Sequence, residues 1–188
     1  MQDLHEAIIL DREVVSLCPQ GHPERPISLN NLAIHLATRY DQLRAIQDLD
    51  EAIVLGREAL NLRPQGHPER SISLNNLAIH LATRYEQLEE MQDLNEAIIL
   101  GQEALNLFPQ GQPYRSGSLS TLANRLATRY KEVGAMQDLD KAIVLHRTAL
   151  APSPSRAPRS FSFISQYCTQ PPESVRTVEA VTGSGGAV

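Results

Sequence analysis

Four histidines stand in two pairs at one spacing: His22 with His67 and His35 with His80, each 45 residues apart. Imidazoles at recurring positions are the side chains here best suited to ligate a metal ion. The third place at each position is held by Gln112 and Arg125. Equivalent residues on packed helices lie about 8–10 Å apart, too far to converge easily on one tetrahedral ion. Repetition alone accounts for both pairs, and the chain has no Cys-x-x-Cys or His-Glu-x-x-His string. No metal and no other cofactor is expected.

Nucleophilic chemistry finds no better footing. Cys18 occupies a position that Arg63 and Phe108 hold in later copies, and Cys168 lies in a non-repeating tail. Neither belongs to a Cys/His constellation. No Gly-Lys-Ser/Thr phosphate loop occurs. The reading is of a protein that is not an enzyme.

The spacing that relates the histidines runs through most of the chain. Asp3, Asp48, Asp93 and Asp138 follow it, as do Pro19, Pro64, Pro109 and Pro154, and Tyr40, Tyr85 and Tyr130. Residues 19–63 and 64–108 are identical at 36 of 45 positions. A period of this size points to stacked helical units, which bury a continuous core only by packing on their neighbours.

Within one unit, Leu74, Leu77, Ala78, Leu81, Ala82 and Tyr85 recur at steps of three and four, one face of an α-helix. Pro68 suits its first turn. Leu94, Ala97, Ile98, Ala104, Leu105 and Leu107 form the face of a second helix. Asp93, with Glu96 three residues on, reads as its cap, and Pro109 and Gly111 stop it. First-type helices are predicted near 23–42, 68–88 and 113–133, and second-type helices near 2–17, 47–62, 92–107 and 137–150. Gly56 and Gly101, inside second-type helices, correspond to Asp11 and His146, so this position is expected to be half-exposed. The predicted fold is all-α: a right-handed solenoid of antiparallel helix pairs over 1–150, followed by a Pro/Ser/Gly-rich disordered tail over 151–188.

Composition narrows the partners. The net charge is −5 over 188 residues, with no basic stripe to neutralise phosphates, so neither nucleic acid nor an anionic membrane is expected. No run approaches the ~20 apolar residues of a membrane span. Two cysteines in unrelated contexts and an acidic N-terminus favour a cytoplasmic location.

The string Leu81-Ala82-x-x-Tyr85, then Ala97, Ala104 and Pro109, resembles the tetratricopeptide repeat signature. The usual unit of about 34 residues is lengthened here. His67-Pro68, with Leu74-Asn75-Asn76-Leu77-Ala78, resembles the longer unit of kinesin light chains. The unit as a whole is most similar to fungal proteins that combine an aromatic and di-alanine motif with tetratricopeptide repeats, arrays often joined to CHAT protease-like or nucleotide-binding domains. The resemblance covers residues 2–150 and implies a protein-interaction scaffold. An alternative is a regulatory fragment of a larger signalling protein, or a truncated, nonfunctional copy of a longer array. Pro158 stands 45 residues after Pro113, and Arg159–Phe163 echoes Arg70–Leu74 before the pattern fails.

The resemblance also implies that the first helix of each pair lines a concave groove. By motif position its residues are Asn31, Ile34, His35, Thr38 and Asp41, then Asn76, Ile79, His80, Thr83 and Glu86, then Thr121, Asn124, Arg125, Thr128 and Lys131. This groove would run from neutral or acidic to basic and take a peptide or partner protein of opposite polarity. Arg39, Arg84 and Arg129 could form a structural ladder with Asp48, Asp93 and Asp138. Leu4, Ile8, Val14 and Val15 at one end, and Ile143, Val144 and Leu150 at the other, are expected to be exposed and to favour end-to-end self-association.

Overall fold

The computed structural model describes residues 2–108 and 113–150, without the side chains of Pro113 and Tyr114. The expectation for residues 151–188 lies outside the described residues. Seven helices and no strand occur among them: α1 (Gln2–Leu17), α2 (Arg25–Leu43), α3 (Ile46–Asn61), α4 (Arg70–Leu88), α5 (Met91–Leu107), α6 (Pro113–Val133) and α7 (Met136–Leu150). α2 pairs with α3, α4 with α5, and α6 with α7. Successive pairs join through α3–α4 and α5–α6, and α1 packs on α2. The result is an all-α solenoid in which neighbours in the chain are neighbours in space.

The period-45 apolar positions supply the core. Leu74, Leu77, Ala78 and Leu81 of α4 are at most 1% exposed. Burying each leucine contributes roughly 1.5–3 kcal/mol. The small residues set the approach of the helices: Ala33, Ala78 and Ala123, and across from them Ala52, Ala97 and Ala142, are all buried. Ala82, placed on the same face, is only half-buried.

Two expectations about the second-type helices are overturned. α3, α5 and α7 begin at Ile46, Met91 and Met136, so Asp48, Asp93 and Asp138 sit inside the first turn and are not caps. Ala45 and Glu90 hold the N-cap positions of α3 and α5 and make no side-chain cap bond. The aspartates instead take both hydrogen bonds of an arginine: Arg39 to Asp48 (2.6 and 2.7 Å), Arg84 to Asp93 (2.7 and 2.8 Å) and Arg129 to Asp138 (2.7 and 2.8 Å). The Arg129 hydrogen bond holds the Asp138 carboxyl below its usual range, and the Arg39, Arg84 and Arg129 guanidinium pKa values are raised by their aspartates. A negative charge in the first helical turn also meets the positive end of the helix dipole.

The second correction concerns Gly56 and Gly101, which are buried rather than half-exposed. A Cβ at Gly56 would lie 3.3 Å from Leu77 Cδ1, and one at Gly101 3.2 Å from Arg125 Nη1. Each glycine gives up helix propensity so that the next first-type helix can come close. Conversely Leu107, assigned to the buried face, is exposed. Pro68 precedes α4 instead of opening it.

The first two joints repeat one another closely. Arg25 donates to Cys18 O at 2.6 Å and to Glu58 at 2.9 Å; Arg70 donates to Arg63 O at 2.7 Å and to Glu103 at 3.0 Å. Each thereby satisfies an open carbonyl at the end of one second-type helix and ties it to the next. α2 and α4 end on the left-handed residues Arg44 (φ 57°) and Glu89 (φ 54°), whose N–H groups bond Tyr40 O and Tyr85 O. Gly134 does the same after α6.

Of the end residues expected to be exposed, Ile8 is buried and Leu4 and Val15 pack against the same core cluster. Val14, Ile143, Val144 and Leu150 are exposed, together with Leu10 and Leu17 of α1.

Candidate partner-binding surface

α2 touches α4 directly, while second-type helices are bridged by extended side chains in ion pairs, Arg12–Glu51 and Arg57–Glu96 at 2.7 Å each. Between the first two pairs, the first-type helices thus approach one another more closely than the second-type helices do. On α2 the surface row is Ile27, Asn31, Ile34 and Thr38, all exposed. The spacing i, i+4, i+7, i+11 keeps them on one helix face. On α4 the row is Ile72, Asn76, Ile79 and Thr83, with Asn76 and Thr83 half-buried. On α6 it becomes Gly117, Thr121, Asn124 and Thr128. Ile27 and Ile72 are absent from the set read off the sequence. Extending the same spacing by one turn would have found them.

The polar members are partly committed to structure. Thr38 and Thr83 donate to the carbonyls of Ile34 and Ile79 at 2.8 and 3.0 Å. Asn76 donates to Asn30 Oδ1 on α2 at 3.0 Å, and Ser118 to Asn75 Oδ1 at 3.1 Å. Asn31, Asn124 and Lys131 are exposed.

His35, His80 and Arg125 share one position, half-buried in the first pair and buried in the second and third. His35 Nδ1 meets Asp11 Oδ2 of α1 at 2.5 Å. His80 is 4% exposed, with Nδ1 unpartnered, and burial lowers its pKa to about 4. Arg125 is 6% exposed; its Nε has no partner and Nη1 reaches Ala97 O only at 3.5 Å. Burial lowers the Arg125 pKa to about 10, opposed by the charge of Glu86. Buried polar atoms left unpaired cost free energy. A cleft of about 200 Å³ between α4 and α6 gathers Ile79, Thr83, Glu86, Thr121, Arg125 and Thr128. The groove residues of the second and third pairs thus meet at one opening.

The other recurring residues have local partners. His22 and His67 accept the N–H of Glu24 and Glu69 at Nδ1, 3.2 Å in both turns. Cys18 is buried beside Ser28, and Arg63 in its place bonds Ser73 and Glu69 at 2.6 Å. No group of three or more metal-ligating side chains occurs among the described residues. No described helix is long and apolar enough to cross a membrane.

Residues 27–69 match the tetratricopeptide repeat family. The matched stretch covers α2 from Ile27, all of α3 and the turn leading into α4, one helix pair with the loop that follows it. Seven helices packed in chain order extend that architecture as a tetratricopeptide-like solenoid. No curated protein matches the chain. Tetratricopeptide units generally mediate protein–protein interaction, and their usual role is that of a scaffold without catalysis.

Proposed function

We propose that this array is a cytoplasmic, non-enzymatic scaffold that holds a peptide or partner protein along its first-type helices. One observation carries the reading: Ile27, Ile34, Ile72 and Ile79, 36–45% exposed, form a row on two adjacent helices and lead into the α4–α6 cleft. Isoleucines kept at the surface by the repeat, flanked by Asn and Thr donors and acceptors, suit an extended or helical segment with alternating apolar anchors. Asp41 and Glu86 toward one end and Lys131 toward the other give the bound segment a direction. The length of the unit supports a kinesin-light-chain-like type within the family. Exposed Leu17 and Leu150, 72% and 84% accessible, support end-to-end association as a further property.

The test is comparative affinity capture with the full chain and an Ile34→Asp/Ile79→Asp variant. Both positions are exposed, so the variant should melt as the wild type does. Partners retained by the wild type and lost from the variant support the reading. Identical partner sets from two equally stable proteins overturn it.

A further inference from the structure

The second-type helices offer a separate surface. Successive second-type helices flank a groove floored by a first-type helix. The α3–α5 groove measures about 380 Å³ and the α5–α7 groove about 410 Å³, so the two are alike in size. Their chemistry differs. Arg57 of α3 donates to Glu96 of α5 at 2.7 Å, and both line their groove. Arg12 and Glu51 make the same bridge between α1 and α3. Across the α5–α7 groove these positions carry Gln102 and Lys141, which cannot form an ion pair.

A second change acts in the same direction. Arg25 and Arg70 each divide their guanidinium between a helix-end carbonyl and a glutamate, Glu58 or Glu103. Arg115 keeps the carbonyl half, donating to Leu105 O and Phe108 O at 2.6 and 2.9 Å. The glutamate position is Thr148, whose hydroxyl donates back to Val144 O in its own helix. Two cations, Arg115 and Lys141, therefore line the α5–α7 groove where the earlier joints hold neutral pairs, with Asp140 as the one lining carboxylate. The apolar lining is larger as well: Leu105, Leu119, Leu122, Leu126, Val144 and Leu145, against Leu60, Leu77 and Leu100 in the α3–α5 groove.

We propose that the α5–α7 groove is a second docking surface, for an acidic amphipathic segment of a partner protein. Its aliphatic side chains enter between α5 and α7 onto the α6 leucines. Its carboxylate pairs with Lys141, supplying from outside the negative charge that Glu51 and Glu96 supply within the earlier joints. An apolar groove with a few placed charges is the usual form of such a site, and the charges select the sign of the ligand.

The probe is a labelled synthetic peptide of about four helical turns, leucines on one face and glutamates flanking them, titrated into the full chain by fluorescence anisotropy. A control peptide carries glutamine for each glutamate. Gln102→Arg/Lys141→Glu rebuilds the bridge seen at Arg57–Glu96. The proposal expects this variant to weaken binding of the acidic peptide by about tenfold or more without lowering the urea midpoint. The Ile34→Asp/Ile79→Asp variant should bind as the wild type does, which separates this surface from the isoleucine row. Equal binding to the bridged variant overturns the proposal. So does equal affinity for the glutamine peptide, or no binding of either. Concentration-dependent self-association that the bridged variant abolishes overturns it too, by giving the groove to a second copy of the chain.

Discussion

Arg84 grips Asp93 across the turn between α4 and α5 through two parallel hydrogen bonds, and with its third nitrogen reaches Asp50 of the preceding pair at 2.9 Å. The Asp93 side chain is 3% exposed while Arg84 keeps 20%. Removing the arginine strands a buried carboxylate, the costlier way to break such a pair. Arg84→Met should destabilise by about 3–5 kcal/mol, and adding Asp93→Leu should restore much of the loss. Urea melts of the two single variants and the double variant check this. An additive double variant would show that the pair contributes no coupling.

Gly56 lies against Leu77, and a Cβ there would come within 3.3 Å of a leucine that is 1% exposed. Relief of the glycine penalty, about 1 kcal/mol in a helix, competes with this crowding. With Gly56→Leu the crowding wins: the expected net loss is about 1–3 kcal/mol, read as a lower denaturant midpoint with unchanged slope.

His80 gives the fold an acid limit. Its pKa of about 4 lies below the unfolded value of 6.5, so between these values the unfolded chain binds the extra proton. Stability from this source is complete above about pH 6.5 and is lost as pH falls toward 4, by up to roughly 3 kcal/mol. Chemical denaturation at several pH values should show the slope in the wild type and a smaller one in His80→Gln. Equal slopes would mean that the ring is protonated in the folded state too.

Arg125 is a buried cation with one long hydrogen bond and an unpartnered Nε. Arg125→Met should stabilise the array by about 1–3 kcal/mol, because an apolar side chain of similar length avoids the desolvation cost. If guanidinium melts show a loss instead, Arg125 has a partner that its geometry does not reveal.

The architecture was legible because the period is exact and each helix shows its apolar stripe: Leu74, Leu77, Ala78 and Leu81 need no other information. The surface was legible only in part. Asn31, Ile34 and Thr38 of α2 follow from motif position, yet His80 of α4, chosen by the same rule, is buried. Coverage by a neighbour is a tertiary fact that helical spacing within one unit does not encode. Gly56 misled for a related reason. Its counterpart Asp11 lies on α1, where it meets His35, and a polar residue there disguises a buried position in the later pairs. Asp93 was read in two ways: its pairing with Arg84 was legible from the recurrence of both residues, while the cap reading failed because the helix begins two residues earlier, at Met91.

The joints also bear on copy number. Three of the arginine bonds link residues at offsets that recur in the next copy: Arg12 with Glu51, Arg25 with Glu58, Arg39 with Asp48. Excising residues 46–90 would place Glu96, Glu103 and Asp93 where those three acceptors stood. Donor would still face acceptor, and the leucine stripes would still meet. Unequal crossing-over between near-identical units can thus lengthen or shorten such a chain in whole steps without any joint being invented, and the shortened protein is expected to fold with the same circular dichroism per residue.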